Sequence, residues 1–322
     1  MDEVFIGTLV ASTLRVSVPL ILCALAGVLC ERSGVIDLGL EGKMLLTAFA
    51  TAAVGVASGS LGLALLAALA VGVALSMVHG YACVSHRGDQ VVLGMAITMT
   101  AAGLSVVLGI AWFAQGGQTP PVPEAVRLSR WFVGAGEVVA QIPLIGPTLS
   151  LAFFGHNLMV YGALLLVVAV WWLLYRTRFG LRLRAAGENP TMIDAAGVSV
   201  KALRYQALAL NGVLSALAGA YLVLAQNPSF IPNMTAGRGY MALAALIFGK
   251  WHPVGALWAC LLFGFLDAVS IRMQGAELPF IGAVPVQFIQ ALPYVLTVVL
   301  LAGFIGKSVA PAALGRPYVK ER

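Results

Sequence analysis

Long apolar runs dominate this chain of 322 residues and constrain its fold more than any other feature. A stretch of about 20 residues with few charges can cross the hydrocarbon core of a bilayer. The runs lie near residues 4–30, 44–57, 60–84, 91–113, 157–175, 205–225, 239–249, 253–271 and 282–304. They predict an all-α fold, in which residues 1–322 form one polytopic integral membrane helical bundle of about nine spans, within a range of eight to ten. Two runs, 44–57 and 239–249, are too short to cross alone, which predicts broken or re-entrant segments.

The composition and charge exclude a soluble globular protein. Hydrophobic residues make up 60% of the chain and charged residues 10%, and the mean hydropathy is +0.95. The net charge of +6 does not indicate nucleic-acid binding, because the basic residues lie in loops and in the tail without interleaved aromatic residues. The four cysteines lie in or beside apolar runs without C-x-x-C spacing, which predicts packing roles rather than metal ligands or disulfides: Cys23, Cys30, Cys83 and Cys260.

The distribution of lysine and arginine predicts the orientation, since cytoplasmic loops carry an excess of both. Two segments are basic: the loop 176–204, with Arg176, Arg178, Arg182, Arg184, Lys201 and Arg204, and the tail, with Lys307, Arg316, Lys320 and Arg322. We expect both to be cytoplasmic. The segment 114–156 carries two arginines offset by two glutamates and should be an extracytoplasmic loop. Nine crossings then place the C-terminus in the cytoplasm and the N-terminus outside, with the first run retained as a helix because it lacks a positive n-region.

The basic loop contains signals for a short capped helix. Asn189 can accept hydrogen bonds from free backbone N–H groups, Pro190 fits the first helical position, and Gly197 suits a left-handed helix end. These signals predict a helix of roughly two turns at about 190–196. A partner that docks on it would explain such a helix between two spans, whereas the alternative is an ordinary solvated loop with a frayed turn. The residues of the loop leave both interpretations open.

The segment 31–43, ERSGVIDLGLEGK, interrupts the apolar pattern with charges and glycines. Its remaining apolar residues indicate re-entrant backbone, which is tolerated at membrane depth only where protein or a water-filled cavity surrounds it. Such a segment would border a translocation path. The alternative is a surface loop whose charges sit in water.

Few other polar residues lie within the apolar runs. Asp267 is an intramembrane carboxylate and therefore a functional candidate, but its position near the end of a run favours the outer interface. Asn211, Gln287 and Gln290 either face a pathway or bond neighbouring helices, and the second role is the more common one. His79 lies near the inner end of a run, where an interfacial packing role is favoured over a ligand role.

No motif predicts an enzyme. Residues 306–308, Gly-Lys-Ser, match the last letters of a phosphate-binding loop, but Leu301 replaces the required first glycine. The chain also lacks a metalloprotease histidine pair, a G-x-S-x-G elbow and a cluster of His and Cys with metal spacing. We therefore expect no catalytic site, no cofactor and no nucleotide site in this chain, so that any ATP is bound by another polypeptide.

Three separated blocks of the sequence carry a family resemblance. The block TRFGLRLRAAGENPTMIDAAGVSVKALRYQALALNGVLSALAGAYL resembles the cytoplasmic coupling loop and the following helix of ABC-importer permeases of the branched-chain amino acid and simple-sugar class. Two further blocks, ERSGVIDLGLEGKM and GRGYMALAALIFGKWHPVGALWACLLFG, resemble the nucleoside and simple-sugar branch of that family. The three blocks follow each other in the family's order.

The resemblance implies a permease subunit in the bacterial plasma (inner) membrane, with nucleosides as the first substrate class and simple sugars as the second. It implies a cytoplasmic ABC ATPase that binds ATP and Mg²⁺, a second homologous permease subunit and an extracytoplasmic substrate-binding protein, often a lipoprotein. Carried over by position, the ATPase-coupling residues are Glu188, Asn189, Pro190, Ala195, Ala196 and Gly197, flanked by Arg182 and Arg184. The candidates for the substrate pathway are Asp37, Glu41 and Asn211, close to Lys43, a cation where relatives commonly carry an uncharged residue.

An ion-coupled secondary transporter for a small polar solute is the alternative function. Such carriers rely on intramembrane carboxylates for ion coupling, and these are scarce in this chain. This scarcity argues against a secondary transporter, and the resemblance implies transport by alternating access, driven by a separate ATPase.

Overall fold

The computed structural model describes residues 2–143, 145–273, 277–278, 282–283, 291, 295, 299 and 308–320. Within these residues the helices are α1 (Asp2–Glu31), α2 (Leu40–Ser58), α3 (Leu61–Gly80), α4 (Gln90–Phe113), α5 (Val133–Ala140), α6 (Gly146–Phe153), α7 (Leu158–Arg176), α8 (Arg178–Glu188), α9 (Pro190–Ala195), α10 (Val200–Tyr221), α11 (Arg238–Phe248) and α12 (Pro253–Met273). Two π-helical turns, Tyr81–Ser85 and Leu222–Gln226, extend α3 and α10, and a 3₁₀ turn lies at Glu124–Val126. Two short strands, β1 (Glu277–Leu278) and β2 (Gly282–Ala283), pair in antiparallel fashion.

Seven of the described helices are long and apolar enough to cross a membrane. They are α1, α2, α3 with its π turn, α4, α7, α10 with its π turn, and α12. The all-α helical bundle predicted from the sequence is thus confirmed. The prediction that run 44–57 is too short is wrong, because α2 begins at Leu40 and reaches 19 residues by including polar residues that the fold buries. The last predicted run, 282–304, lies mostly outside the described residues.

The helix α11 is the second half of a broken crossing. It has 11 residues, as predicted for the short run 239–249. The irregular chain before it meets segment 114–156, where the carbonyl group of Phe230 accepts from the N–H of Thr119. The chain after it reaches the opposite end of the bundle, where Arg32 donates to the carbonyl oxygen of Trp251 at 2.9 Å. Irregular backbone at this depth is enclosed by neighbouring helices, as a membrane interior requires.

The centre of the bundle is formed by α1, α2 and α10. Most of their residues are buried, whereas α3, α4 and α7 expose apolar side chains along one face, such as Met99, Leu165 and Trp172. α1 packs against α10, α11 and α12, and α10 packs against α2 and α3. Lys43 and Asn211 on the central helices therefore lie deep in the protein, surrounded by an outer ring with apolar faces.

Glycines bring the backbone of α10 directly against its neighbours. A Cβ atom on Gly212 would lie 2.6 Å from the carbonyl oxygen of Gly72 in α3, and a Cβ atom on Gly72 would lie 2.5 Å from that of Gly212. A Cβ atom on Gly219 would lie 2.3 Å from the carbonyl oxygen of Met44 in α2. Such close approach of helices is the usual role of small residues within membranes. It fixes α2, α3 and α10 at short distances, so that their polar side chains can meet.

The segment 114–156 is more regular than its Pro- and Gly-rich composition indicates. Its first half donates three backbone hydrogen bonds to residues 224–230, from Thr119, Val122 and Leu128. Its second half contains α5 and α6, which pack against each other, and α6 also packs against α1. The segment therefore covers one end of the bundle instead of extending away from it.

Candidate functional site

Five polar side chains from four elements meet in the interior and form what we call the buried polar cluster: Asp37, Lys43, Ser76, His79 and Asn211. All five residues are fully buried. Asp37 lies in the connection between α1 and α2, and Lys43 lies in the first turn of α2. Ser76 and His79 lie in the last turns of α3, and Asn211 lies in the middle of α10.

Lys43 stands at the centre of this cluster. Its Nζ donates to Oδ2 of Asp37 at 2.6 Å and to Oδ1 of Asn211 at 2.9 Å. The same Oδ1 of Asn211 accepts from Oγ of Ser76 at 3.2 Å, and Nδ2 of Asn211 donates to the carbonyl oxygen of Ala26 at 3.1 Å. The amide of Asn211 thus links α10 to α1, α2 and α3.

The carboxylate of Asp37, outside the spans in the α1–α2 connection, is surrounded by donors and lies beside the Lys43 ammonium. Its Oδ1 accepts from the N–H of Gly39 at 3.0 Å and lies 3.2 Å from Nδ1 of His79. Burial alone raises the pKa of this carboxyl, but Lys43 and His79 stabilise its charged form and hold the pKa well below its usual range. Asp37 and Lys43 therefore form a charge-compensated pair, which avoids the cost of a lone buried charge. Chemically, the arrangement holds helices together and carries no free charge.

The buried polar cluster decides between the two interpretations of segment 31–43. Glu31, Asp37, Glu41 and Lys43 are each at most 5% exposed, so the surface-loop alternative is wrong. Residues 32–39 instead form irregular, mostly buried backbone between α1 and α2, which agrees with the re-entrant interpretation. Among the predicted pathway residues, the structure brings Asp37 and Asn211 together through Lys43.

Lys43 and His79 belong to the cluster although the sequence did not single them out as site residues. His79 is buried beside Asp37 and is not the interfacial packing residue expected from the sequence. The sequence contains one signal for the cluster. Asp37 and Lys43 are six residues apart between apolar runs, and if this segment is buried their opposite charges have to form a pair. A second signal was the i, i+3 spacing of Ser76 and His79, which places both on one face of α3.

Glu41, the third predicted pathway residue, binds the start of α11 and does not belong to the buried polar cluster. Its Oε1 accepts from the N–H of Gly237 at 2.8 Å, and its Oε2 accepts from the N–H of Gly239 at 2.6 Å. These donors stand at the start of α11, where backbone N–H groups lack intrahelical acceptors. A carboxylate also interacts favourably with the positive end of the helix dipole. Glu41 therefore anchors the broken crossing to α2.

Replacing Glu41 with alanine is expected to lower the free energy of unfolding by about 2 kcal/mol, because two backbone donors lose a charged acceptor. Chemical unfolding of the purified chain in detergent measures this change. Glu124→Ala is the matched control, since Glu124 is exposed in the 3₁₀ turn. Equal effects of the two substitutions would contradict the anchoring role of Glu41.

A second candidate site, the coupling segment, comprises residues 188–197 at the surface. The helix predicted at 190–196 is α9, Pro190–Ala195. Oδ1 of Asn189 accepts from the N–H of Met192 at 3.2 Å, and Gly197 adopts a left-handed φ of +79°. The capping predictions for both ends of the helix are therefore confirmed.

The coupling segment presents most of its surface to its surroundings. No residue of α9 is buried, and Met192 is 68% exposed. The residues carried over from the family resemblance are exposed at Glu188, Asn189, Ala195, Ala196 and Gly197 and half-buried at Pro190. α9 is a complete, capped helix and not a frayed turn, and the docking of a partner on it stays a prediction.

The two arginines that flank the coupling segment have different surroundings. Nε of Arg184 donates to the carbonyl oxygen of Leu174 at 3.1 Å, and its guanidinium lies 4.6 Å from the centroid of the Tyr175 ring. Arg184 thus fastens α8 to α7. Arg182 is exposed on α8, so its side chain is the one that reaches the surface.

Within the described ranges, no group of three or more His, Cys, Asp or Glu side chains could hold a metal ion. The four cysteines are free and buried, in agreement with the packing role expected from the sequence. The buried polar cluster and the coupling segment are therefore the two candidate sites that we consider among the described residues.

Known proteins resemble this chain over nearly its whole length. Residues 9–304 match a family described as branched-chain amino acid transport system / permease component. The chain is 38% identical to the guanosine ABC transporter permease protein NupQ of Bacillus subtilis, over 99% of each chain. It is 36% identical to the nucleoside ABC transporter permease protein NupC of Lactococcus lactis, over 98% of this chain and 97% of the relative. A relative from Haloferax volcanii, provisionally named glucose ABC transporter permease protein TsgC13, is 32% identical, over 98% and 99% of the two chains.

Proposed function

The chain belongs to the family of branched-chain amino acid transport system permease components, and we propose that it is the permease subunit of an ATP-driven ABC importer for nucleosides. The observation that carries this proposal is the full-length similarity to two relatives named as guanosine and nucleoside permeases. The seven candidate spans and the exposed, capped coupling segment are the structural features that such a subunit requires.

The proposal assigns three partners to the chain. A cytoplasmic ABC ATPase binds ATP and Mg²⁺ and supplies the energy. A second, homologous permease subunit completes the path, and an extracytoplasmic substrate-binding lipoprotein delivers the solute. The names of both relatives as ABC transporter permease proteins support the ATPase in general terms.

The ends of the helices support one orientation in the bacterial plasma membrane. The basic loop 176–204, Arg32 at the end of α1 and the described tail lie at one end of the bundle, which we assign to the cytoplasm. Segment 114–156 covers the other end. With the broken crossing that contains α11, this assignment gives an extracytoplasmic N-terminus and a cytoplasmic C-terminus.

In the proposed mechanism α9 acts as a rigid lever. ATP binding closes the ATPase dimer, and the docked α9 moves with it. Because Asn189 and Gly197 close its two ends, α9 transmits displacement without unwinding. α10 begins only three residues after Gly197 and carries Asn211, so the displacement passes to the buried polar cluster. The bundles then tilt, and the central path opens to the other side of the membrane.

Competition for uptake tests the substrate class. The chain, its partner permease, the ATPase and the binding protein are reconstituted together, and radiolabelled guanosine is offered with unlabelled nucleosides or with glucose. We expect nucleosides to compete and glucose to have no effect. Simple sugars are the second candidate because of the glucose permease relative, and competition by glucose without competition by nucleosides would favour them.

A further inference from the structure

The described end of the chain, residues 308–320, lies across the end of the bundle that carries the coupling segment, and we call it the C-terminal strap. Three hydrogen bonds fasten it to three elements: Ser308 Oγ to the Ile247 carbonyl oxygen at 3.1 Å, Ala313 N–H to the Gly187 carbonyl oxygen at 2.8 Å, and Gly315 N–H to the Gly34 carbonyl oxygen at 3.1 Å. Pro311 and Ala313 of the strap are buried. The strap therefore joins α11, the end of α8 and the connection between α1 and α2.

Arg204, near the start of α10, completes this junction. It is 1% exposed, and its Nε donates to the carbonyl oxygen of Ser33 at 3.3 Å while Nη1 donates to that of Arg316 at 3.2 Å. Among the described residues, no carboxylate forms an ion pair with Arg204. A buried guanidinium held by backbone carbonyl groups is costly, and its planar fork suits the joining of two chain segments.

The coupling segment enters the same junction. Gly187, just before it, packs so closely that a Cβ atom would lie 2.3 Å from the carbonyl oxygen of Arg32. Glu188 accepts from the N–H of Ala312 in the strap at 3.2 Å. Gly34 stands three residues before Asp37 of the buried polar cluster. The contacts thus run from the coupling segment through the strap to the α1–α2 connection and the cluster.

A cavity of about 420 Å³ lies between α9, α10 and the far end of the strap. Asp194, Lys201 and Tyr318 are among its lining residues. Ile193 of α9 packs against the main hydrophobic core, so part of the motion of α9 reaches the bundle directly. The hydrogen-bonded junction around Gly187 and Gly34 adds a second route, which leads to the α1–α2 connection.

We propose that the C-terminal strap is a transmission element that clamps the end of α8 to the α1–α2 connection. Displacement of the coupling segment then moves α1 and α2 together with α10, and Arg204 is the positioning residue that holds the clamp. Without the clamp, α9 would displace α10 alone and slip past α1 and α2. This inference rests on the proposed function, since it needs an ATPase that moves α9.

The substitution Gly315→Val tests the clamp in the assembled transporter. Gly315 has a φ of +75°, and a Cβ atom there would lie 2.8 Å from Cδ1 of Ile36, so valine displaces the N–H from Gly34. We expect the kcat of guanosine uptake to fall about tenfold, the size of a typical coupling effect between sites, with an unchanged KM. ATP hydrolysis continues, so ATP consumed per guanosine rises by the same factor. Ala310→Val, at an exposed strap position, is the matched control and should behave as wild type.

Arg204→Lys separates positioning from simple structural support. Lysine keeps the charge but lacks the fork that bridges Ser33 and Arg316. We expect Arg204→Lys to raise the ATP consumed per guanosine as much as Arg204→Met does. Rescue by lysine would show that a buried charge suffices and would overturn the positioning role.

Two results would overturn the proposal as a whole. One is a wild-type ratio of ATP to guanosine in both Gly315→Val and Arg204→Lys. The other is loss of co-purification with the ATPase in both variants, since the strap would then serve assembly. If the wild-type transporter carries no nucleoside, the proposed substrate class is wrong. The ATP consumed per molecule transported is then compared between wild type and the variants with the solute that stimulates the wild-type ATPase.

Discussion

Replacing Asp37 with leucine is expected to lower the free energy of unfolding by about 3 to 5 kcal/mol, because it leaves the Lys43 ammonium buried without a counter-charge. Lys43 cannot turn to water, since its side chain is fully buried and held by Asn211. The N–H of Gly39 also loses its acceptor. Chemical unfolding of the purified chain in detergent measures the loss.

A double-mutant cycle with Lys43→Met shows whether this loss comes from the pair. Each single substitution strands one buried charge, whereas the double variant removes both. We therefore expect the double variant to lose less stability than the sum of the two single variants, by about 1 to 3 kcal/mol. Additive losses would contradict the ion-pair interpretation. Glu137→Leu, at an exposed position of α5, is the control and should change stability by no more than about 0.5 kcal/mol.

Replacing residues 189–197 with a Gly/Ser linker of equal length is expected to abolish uptake. The linker behaves as a flexible coil, so it cannot carry displacement from the ATPase to α10. The chain should still insert, because residues 189–197 lie outside the seven candidate spans. Uptake of guanosine and stimulation of the ATPase by loaded binding protein are the two measurements, and normal uptake would refute the lever role of α9.

A pair of substitutions at Asn189 provides the matched control for the linker. Serine is as good an N-cap as asparagine, whereas alanine leaves the first N–H groups of α9 without a side-chain acceptor. We expect Asn189→Ser to retain uptake and Asn189→Ala to reduce it several-fold. Equal uptake by the two variants would show that the capped shape of α9 is unimportant.

The sequence predicts the spans and α9 well because both depend on local properties. Apolar length indicates most of the crossings, although not α2, and the signals of Asn189, Pro190 and Gly197 lie within nine residues. The sequence does not predict the helix α8, because its Arg-rich residues are typical of a solvated loop. Its tertiary contacts, such as Arg184 against Tyr175, fold it onto α7.

The buried polar cluster and the C-terminal strap depend on contacts between distant parts of the chain. Lys43 and Asn211 are separated by 168 residues, and no local pattern shows that they meet. Asp37, Glu41 and Asn211 stand out in the sequence as polar residues near apolar runs. Only the packing of the helices shows that Glu41 accepts hydrogen bonds from the start of α11, whereas Asp37 and Asn211 both accept from Lys43.

In the proposed mechanism a separate ATPase supplies the energy, and this chain converts the motion of the ATPase into an opening. Guanosine uptake into proteoliposomes is measured with the chain and its partner permease, with or without the ATPase, ATP and an imposed ion gradient. We expect this mechanism to give uptake only when the ATPase and hydrolysable ATP are both present. Gradient-driven accumulation of guanosine by the chain without the ATPase would contradict it.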